Sequence, residues 1–141
     1  MLIGLDPVLT PDLLHALAAM GHGERIALVD ANYPATRGRR LIALAGVDAP
    51  RALDAVLSVL PVEAAATMQV IGDATALPPV AAAMAAVLAA RGGPAPTSLE
   101  RHAFYAAAEA CFAVVATGER RFYGNILLTK GVVPPDAGAA R

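Results

Sequence analysis

The stretch TPDLLHALAAMGHGERIALVD, residues 10–30, decides the fold. Thr10 suits a helix N-cap, Pro11 suits the first helical position and Gly21 suits the end, so the intervening residues are predicted to form a helix. The apolar run that follows, residues 25–30, is bounded by turn residues and is typical of a buried strand. A helix followed directly by a buried strand is the repeating unit of an α/β fold.

The rest of the chain continues this alternation. Further strands are predicted over residues 41–45, 67–71, 112–117 and 125–129, and further helices over residues 49–60, 77–91 and 98–111. Ser98 is the predicted N-cap of the last helix, a turn around Gly118 and Glu119 joins the last two strands, and residues 134–141 are expected to fray. The prediction is one α/β domain over residues 1–141, with a mostly parallel central sheet and helices on both faces.

Composition and charge exclude several classes of protein. Of the 141 residues, 57% are hydrophobic and 16% charged, which excludes a disordered polyelectrolyte. With 11 basic and 12 acidic residues, the net charge of −1 gives no basis for nucleic-acid binding. The longest apolar run, residues 80–90, is shorter than the ~20 residues that cross a bilayer, so no membrane span is expected. The first residues lack a basic leader followed by a long apolar stretch, so no secretory signal is expected.

The apolar composition also predicts self-association. Few charges are available to cover a small domain, and large exposed apolar patches usually mark interfaces, so a homo-oligomer is expected. The single cysteine, Cys111, lies in an Ala/Phe run and is interpreted as a buried structural thiol. It permits no internal disulfide, which fits a reducing compartment and predicts a cytoplasmic protein.

Familiar motifs of catalysis and cofactor binding do not occur in the sequence. It contains no Gly-x-Gly-x-x-Gly, no Walker motif, no Cys-x-x-Cys, no His-Glu-x-x-His and no Gly-x-Ser-x-Gly. No nucleotide cofactor, metal ion or serine nucleophile is therefore predicted. The basic residues Arg37, Arg39 and Arg40 are interpreted as a solvated loop, with a phosphate site as the alternative.

Two polar residues flank the first predicted strand. His22 lies between Gly21 and Gly23, on a tight turn without bulky neighbours, and is either a functional residue or a turn histidine satisfied by backbone groups. Asp30 follows the strand at its carboxyl end, which is where open α/β sheets bind their ligands. The two side chains are hypothesised to belong to one site.

Two further segments carry candidate site residues. Arg101, Tyr105 and Glu109 are spaced four apart and share a helix face, either as a surface ion pair beside an aromatic ring or as part of a site. Tyr123-Gly124-Asn125 combines a phenol, a backbone that a ligand can approach and an amide, or else forms a hairpin turn with Tyr123 on its rim. Spacing alone leaves both pairs of alternatives open.

Together these segments resemble the L-fucose mutarotase / D-ribose pyranase family of sugar isomerases. The resemblance is carried, in the family's order and over nearly the whole chain, by Gly21-His22-Gly23 with Asp30-Ala31-Asn32-Tyr33-Pro34, Arg101-x-Ala103-Phe104-Tyr105, Thr117-Gly118-Glu119, Tyr123-Gly124-Asn125-Ile126-Leu127-Leu128 and Lys130-Gly131. The Tyr-Gly-Asn segment and the Arg-x-Ala-Phe-Tyr helix are more similar to the fucose branch.

The resemblance implies a role for each matching residue. His22 would be the acid/base, with Tyr123 assisting, and Asp30, Arg101, Tyr123, Gly124 and Asn125 would bind a monosaccharide. It also implies a homo-oligomer, a decameric ring among the forms, with the site at a subunit cleft and without a cofactor or metal. An apolar wall for the methyl group of a 6-deoxy sugar would come from Met68, Phe104 or Tyr33.

The implied function is an L-fucose mutarotase, a cofactor-free isomerase. Interconverting α and β anomers requires only that protons move to and from a hemiacetal, and histidine can give and take a proton near neutral pH. The alternatives are a D-ribose pyranase, which interconverts pyranose and furanose forms, and a non-catalytic sugar-binding protein. The last would need Asp30, Arg101 and Asn125 but not His22.

Overall fold

Six strands and four helices make up the computed structural model, which describes residues 1–63, 67–70 and 76–138. The strands are β1 (Arg25–Val29), β2 (Leu41–Leu44), β3 (Thr67–Val70), β4 (Thr97–Glu100), β5 (Ala113–Thr117) and β6 (Ile126–Thr129). The helices are α1 (Pro11–Ala19), α2 (Ala49–Leu57), α3 (Pro79–Ala90) and α4 (Arg101–Glu109). Short 3-10 helices form at Ala35–Arg37 and Pro135–Gly138.

The strands form one sheet in the order β2-β5-β1-β6-β3-β4. β6 pairs antiparallel with β1 and β3, and the β1–β5, β2–β5 and β3–β4 pairs are parallel, so the prediction of a mostly parallel sheet is confirmed. Because β1 lies between β5 and β6, the turn after β5 does not close a hairpin. The chain crosses the end of β1 instead, which brings Asn125, just before β6, beside Asp30, just after β1.

Helices cover both faces of the sheet, as predicted, because the central strands are apolar on both sides. Ile26 and Leu28 of β1 face a core shared with α1, α2 and α3. Ala27 and Val29 face the opposite core, under α4. Cys111 lies in this second core, where burial raises the pKa of its thiol to about 11, which confirms the prediction of a buried structural thiol.

The helix starts follow their N-caps, although one cap differs from the prediction. Thr10 caps α1, as predicted. The prediction of Ser98 as the last cap is wrong: Glu100 caps α4, accepting from two backbone N–H groups of the first turn at 3.0 and 3.2 Å. Ser98 lies in β4, an unpredicted strand that pairing with β3 keeps extended. The helix therefore begins at Arg101.

The chain beyond β6 is more ordered than predicted. Pro135–Gly138 forms a 3-10 helix within the segment expected to fray, while residues 139–141, like residue 71 of the predicted third strand, lie outside the described residues. Among the residues that the structure describes, no helix has the length and apolar character needed to span a membrane. The longest apolar run forms α3, which packs one face into the core.

Candidate functional site

A cleft of about 200 Å³ opens at the edge of the sheet where the parallel strands end. The predicted residues Asp30, Arg101, Tyr123 and Asn125 all line it. They come from three elements: the turn after β1, the first residue of α4 and the segment before β6. The remaining lining residues are Asn32, Tyr33, Tyr105 and Phe122. We call this site the carboxyl-edge cleft.

A hydrogen bond joins Asp30 and Asn125 at the base of the cleft. Both are buried, and the Asp30 N–H donates to Oδ1 of Asn125 at 2.7 Å. This bond sets the amide's orientation, so contacts through its Nδ2 are made as a donor. The Asp30 carboxylate accepts from the Asn32 N–H at 2.9 Å, which fixes one of its oxygens in a tight turn. The cleft therefore has a rigid polar floor.

The backbone of Tyr123 and Gly124 is constrained by close packing. Tyr123 has a φ of 70°, in the left-handed region that side chains other than glycine adopt at a cost of about 1–3 kcal/mol. A Cβ on Gly124 would lie 2.7 Å from Cγ of Glu119 and 3.3 Å from Cγ2 of Val80. Glycine is needed there for space, and the adjacent Tyr123 lines the cleft.

Glu119 holds this segment in place, a supporting role that the sequence analysis did not assign to it. Its carboxylate is buried and accepts from the Ala49 N–H at 3.1 Å and from the backbone and side chain of Arg121 at 2.9–3.0 Å. The hydrogen bonds from Arg121 are the main reason that the pKa of Glu119 falls to about 2. The Ala31 N–H also donates to the Glu119 carbonyl at 2.9 Å, which ties the turn after β1 to the same loop.

The neighbouring Thr117 and Gly118 hold the same loop in place. The Thr117 hydroxyl donates to the Val29 carbonyl at 2.7 Å and accepts from the Glu119 N–H at 3.2 Å. A Cβ on Gly118 would lie 2.6 Å from the backbone nitrogen of Gly46, so a larger residue would separate the two loops. The Thr-Gly-Glu segment therefore supports the cleft by holding the neighbouring loops together.

Arg101 brings a positive charge to the cleft from the start of α4. A cation in the first turn of a helix faces the positive end of the helix dipole, so its position is not explained by helix stability. Its guanidinium carbon lies 5.6 Å from the centre of the Tyr105 ring, and a side-chain hydrogen bond with Tyr105 is the main cause of its raised pKa. Glu109, on the same helix face, pairs instead with Arg37 at 2.7 Å, which assigns that arginine to a surface ion pair.

His22 lies at the opposite edge of the sheet from the cleft. It precedes β1 whereas Asp30 follows it, and an extended strand of this length spans about 15 Å. Its side chain is 56% exposed and its Nε2 hydrogen-bonds with Oε2 of Glu63. Within one chain, the structure therefore brings four predicted residues together and leaves His22 apart from them.

The three residues predicted to form an apolar wall lie in different places in the structure. Phe104 is fully buried in the core under α4, so the expectation that it lines the site is wrong. Tyr33 does line the cleft, and burial raises the pKa of its phenol. Met68 lies in β3, where its side chain is outside the described part of the chain. Phe122, which sequence reasoning missed, lines the cleft with 70% of its surface exposed.

Comparisons with known proteins cover nearly the whole chain. The sequence model of the RbsD / FucU transport protein family matches residues 3–133. The chain is 38% identical to fucose mutarotase of Bos taurus over 96% of both chains. It is 39% identical to L-fucose mutarotase of Glaesserella parasuis over 95% of this chain and 97% of that one.

A solved structure gives the same similarity in three dimensions. The fold superposes with a TM-score of 0.88 on the crystal structure of the fucose mutarotase in complex with L-fucose from Streptococcus pneumoniae. That protein is 34% identical, and the superposition covers 94% of this chain and 100% of the other. The carboxyl-edge cleft and the turn that carries His22 both fall within the residues matched by the family.

Proposed function

The chain belongs to the RbsD / FucU transport protein family, and on that premise we propose that it is an L-fucose mutarotase, an isomerase that interconverts the α and β anomers of the sugar. The observation that carries the proposal is the convergence of Asp30, Arg101, Tyr123 and Asn125 on one cleft. A carboxylate, a guanidinium, a phenol and an amide together accept and donate hydrogen bonds. Such a surface favours a polyhydroxylated ring, because a ligand lacking a hydroxyl leaves a polar group unpaired.

The reaction is the opening and closing of a hemiacetal. A base takes the proton from the anomeric oxygen O1 while the bond between C1 and the ring oxygen O5 breaks, and its electron pair moves to O5. O5 takes up a proton, which leaves a free aldehyde. Rotation about the C1–C2 bond presents the other face of the aldehyde, and the reverse steps close the ring. Since O1 and O5 are both bonded to C1, one imidazole can reach each in turn, taking the first proton and supplying the second.

Each cleft residue has a part in holding the sugar for this reaction. Asp30 accepts hydrogen bonds from hydroxyl groups, and the amide of Asn125 donates. Arg101 donates in a fork, to which its planar guanidinium is suited. Tyr123 orients the anomeric end through its phenol, and the Gly124 backbone lets the ring approach closely. His22 moves the proton.

His22 reaches the cleft from a second copy of the chain. Its own cleft lies at the far edge of the sheet, so a subunit interface has to join the two edges. The edge that carries His22 is bordered by exposed apolar side chains, Val59, Val132 and Val133, which a second copy would cover. The proposed enzyme is therefore a homo-oligomer whose active sites form between subunits.

The methyl group that distinguishes L-fucose from L-galactose needs an apolar contact. Phe122 and Tyr33 line the cleft on its aromatic side and supply that contact in the proposal. Phe122 is 70% exposed, so burying its ring against a ligand or a neighbouring subunit is energetically favourable. L-galactose, which differs only in carrying a hydroxyl at C6, is the matched substrate for testing this assignment.

We also propose that the enzyme works in the cytoplasm. The single cysteine is buried beneath α4, and the fold is held by packing, hydrogen bonds and ion pairs. A protein of this kind loses nothing in a compartment where thiols stay reduced.

Saturation-transfer NMR on the anomeric protons tests the function directly. Saturating the α-anomer signal of L-fucose should attenuate the β-anomer signal faster with the protein than without it. A panel with L-galactose and D-ribose identifies the sugar. Faster pyranose–furanose exchange for D-ribose alone would assign a D-ribose pyranase instead. Binding of L-fucose without faster exchange would assign a non-catalytic sugar-binding protein and overturn the proposal.

A further inference from the structure

Tyr105 lines the carboxyl-edge cleft beside Arg101, and the contact between them carries an inference beyond the proposed activity. We propose that Tyr105 is a positioning residue that holds the Arg101 guanidinium on its own side of the cleft, apart from the carboxylate of Asp30, so that both charges are free to bind the sugar. The inference rests on the proposed function, in which Arg101 binds the sugar. The roles that the family resemblance implies do not extend to Tyr105.

The carboxylates of α4 and of its N-cap are engaged with groups other than Arg101. Both carboxylate oxygens of Glu100 accept backbone N–H groups of the first turn, at 3.0 and 3.2 Å. Glu109 pairs with Arg37 at 2.7 Å. The contact that Arg101 makes on this helix is with Tyr105, whose ring centre lies 5.6 Å from the guanidinium carbon and whose side chain forms a hydrogen bond with it. A neutral phenol thus takes the place of a carboxylate partner.

Tyr105 is itself fixed by aromatic packing. Its ring, which is half-buried, meets the ring of Tyr33 edge-on, with 5.0 Å between the two ring centres. Tyr33 meets the fully buried Phe104 in the same way, at 6.0 Å. The Tyr33 N–H also donates to the Asp30 carbonyl at 3.2 Å, so this packing joins the turn after β1 to α4. A row of packed rings therefore connects the core to the guanidinium at the cleft.

The cleft holds two opposite charges that do not pair with each other. Asp30 and Arg101 both line it, yet within the part of the chain that the structure describes no ion pair joins them. The Asp30 carboxylate accepts instead from the Asn32 N–H at 2.9 Å. A direct pair between the two charges would occupy the groups that sugar hydroxyls need, and a ligand would have to break it first. Holding Arg101 against Tyr105 keeps the cleft organised for binding.

The stability of α4 does not explain this arrangement. Arg101 is exposed, and its charge in the first turn faces the positive end of the helix dipole. An exposed arginine also has many rotamers, and fixing one of them costs conformational entropy. Contacts that fix the side chain before a ligand arrives remove this cost from the binding step. A role in preparing Arg101 for a ligand accounts for both its exposure and its contact with Tyr105.

NMR relaxation of the arginine ¹⁵Nε signals tests the positioning in the full-length protein without sugar. In the wild-type protein Arg101 should be as ordered as Arg51, which two hydrogen bonds of 2.6 and 2.8 Å hold to Asp6. Tyr105→Leu removes the ring and the hydroxyl and should make the Arg101 signal mobile, with Arg51 unchanged. Tyr105→Phe keeps the ring and its packing on Tyr33 and should do so in part. A mobile Arg101 in the wild-type protein would overturn the inference whether or not the variants fold.

Anomer exchange measured on the same samples tests the consequence for the sugar. Tyr105→Leu should raise KM for L-fucose roughly tenfold and Tyr105→Phe roughly threefold, as expected for losing both contacts with the guanidinium or the hydrogen bond alone, with kcat unchanged. Glu109→Gln, one turn further along the same helix face, is the matched control and should leave KM unchanged.

A double-variant comparison separates positioning from direct contact with the sugar. In an Arg101→Met background, Tyr105→Phe should have no further effect on KM, because the group that it positions is gone. A threefold effect in that background as well would mean that the hydroxyl contacts the sugar directly, which would overturn the positioning role. Absence of exchange in the wild-type protein would instead reject the proposed function, and the relaxation experiment would still decide whether Tyr105 holds Arg101.

Discussion

The two edges of the sheet differ in how their polar groups are held. At the carboxyl edge, Asp30, Asn125 and Glu119 are buried and bonded to backbone groups, which makes the cleft rigid within one chain. At the opposite edge, His22 and Glu63 are half exposed and meet through a side-chain pair. The comparison shows one polar cluster that is complete and buried within a single chain and another that is open to contact from outside. Under the proposed function, the first would bind the sugar and the second would supply the proton-transfer group to another copy of the chain.

Mixing two impaired variants should give the largest change in anomer exchange. Failure of the mixture to recover activity would contradict the comparison between the two edges. His22→Ala should lower anomer exchange by roughly 10²–10⁴-fold, the contribution of a positioned acid/base, and Asp30→Asn should also impair exchange. In mixed oligomers, some sites combine an intact His22 with an intact Asp30 from another chain. Saturation-transfer NMR should therefore detect activity in the mixture well above that of either variant.

The control for this experiment pairs His22→Ala with the double variant His22→Ala/Asp30→Asn. No site in that mixture holds an intact His22, so exchange should stay at the level of the single variant. Equal activity in the test and control mixtures would mean that the two edges do not meet between subunits.

Acid unfolding should separate the buried carboxylate of one edge from the exposed one of the other. The folded pKa of Glu119 is lowered from 4.5 to about 2, so its stabilising contribution is present above about pH 4.5 and is lost as the pH falls through about 2. Glu119→Gln should lower the free energy of unfolding at pH 7 by about 2 kcal/mol and reduce its fall between pH 4.5 and 2.

Glu63→Gln is the matched variant at the opposite edge, where exposure should limit the change in the free energy of unfolding to below about 1 kcal/mol. Urea unfolding at several pH values measures both variants. Equal losses at pH 7 would contradict the claim that the cleft is the more rigid edge.

A methyl group added to Gly124 tests the packing of the cleft. The new Cβ would overlap with Glu119 at 2.7 Å, so Gly124→Ala should lower the free energy of unfolding by about 1–3 kcal/mol. Gly21→Ala, at the opposite edge, meets its nearest atom at 3.7 Å, an ordinary contact, and should be close to neutral. Thermal unfolding of both variants measures the difference, and equal melting temperatures would show that the loop yields to the added methyl group.

Removing the exposed ring at the cleft should give the smallest effect. Phe122→Ala should raise KM for L-fucose about fourfold, the loss expected for one uncovered methyl group, with less effect on L-galactose. Leu41→Ala, an exposed apolar residue on the outer strand β2, is the control and should leave both sugars unaffected. Equal changes for the two sugars would assign Phe122 to a subunit contact instead.

Most of the fold could be predicted because its determinants are local. The cap at Thr10, the apolar run of β1 and the glycine after α1 lie within one short stretch of sequence. The start of α4 could not be predicted in this way, because the extension of residues 97–100 depends on their pairing with the distant β3. Ser98 has the right chemistry for a cap, but tertiary pairing overrides that preference.

The sequence singled out Asp30, Arg101, Tyr123 and Asn125, which line the cleft, but it did not predict that His22 lies apart from them. Asp30 and Arg101 follow the carboxyl ends of β1 and β4, and Tyr123 and Asn125 precede the antiparallel β6, so all four lie at one edge of the sheet. His22 is close to Asp30 in sequence, yet the intervening strand carries them to opposite edges. Glu119 belongs to a segment that carries the family resemblance, but its supporting role could not be predicted, since the burial of its carboxylate depends on the start of α2 and on Arg121 packing around it.

The reversed direction of β6 has an evolutionary consequence. Asn125 precedes β6 at one edge of the sheet and Lys130 follows it at the other, so this short segment sets the distance between the two parts of the proposed site. An insertion or deletion within this segment would shift the two ends relative to each other, whereas an exchange of one apolar residue for another would leave both ends in place. Natural selection is therefore expected to conserve the length of this segment more strictly than its composition.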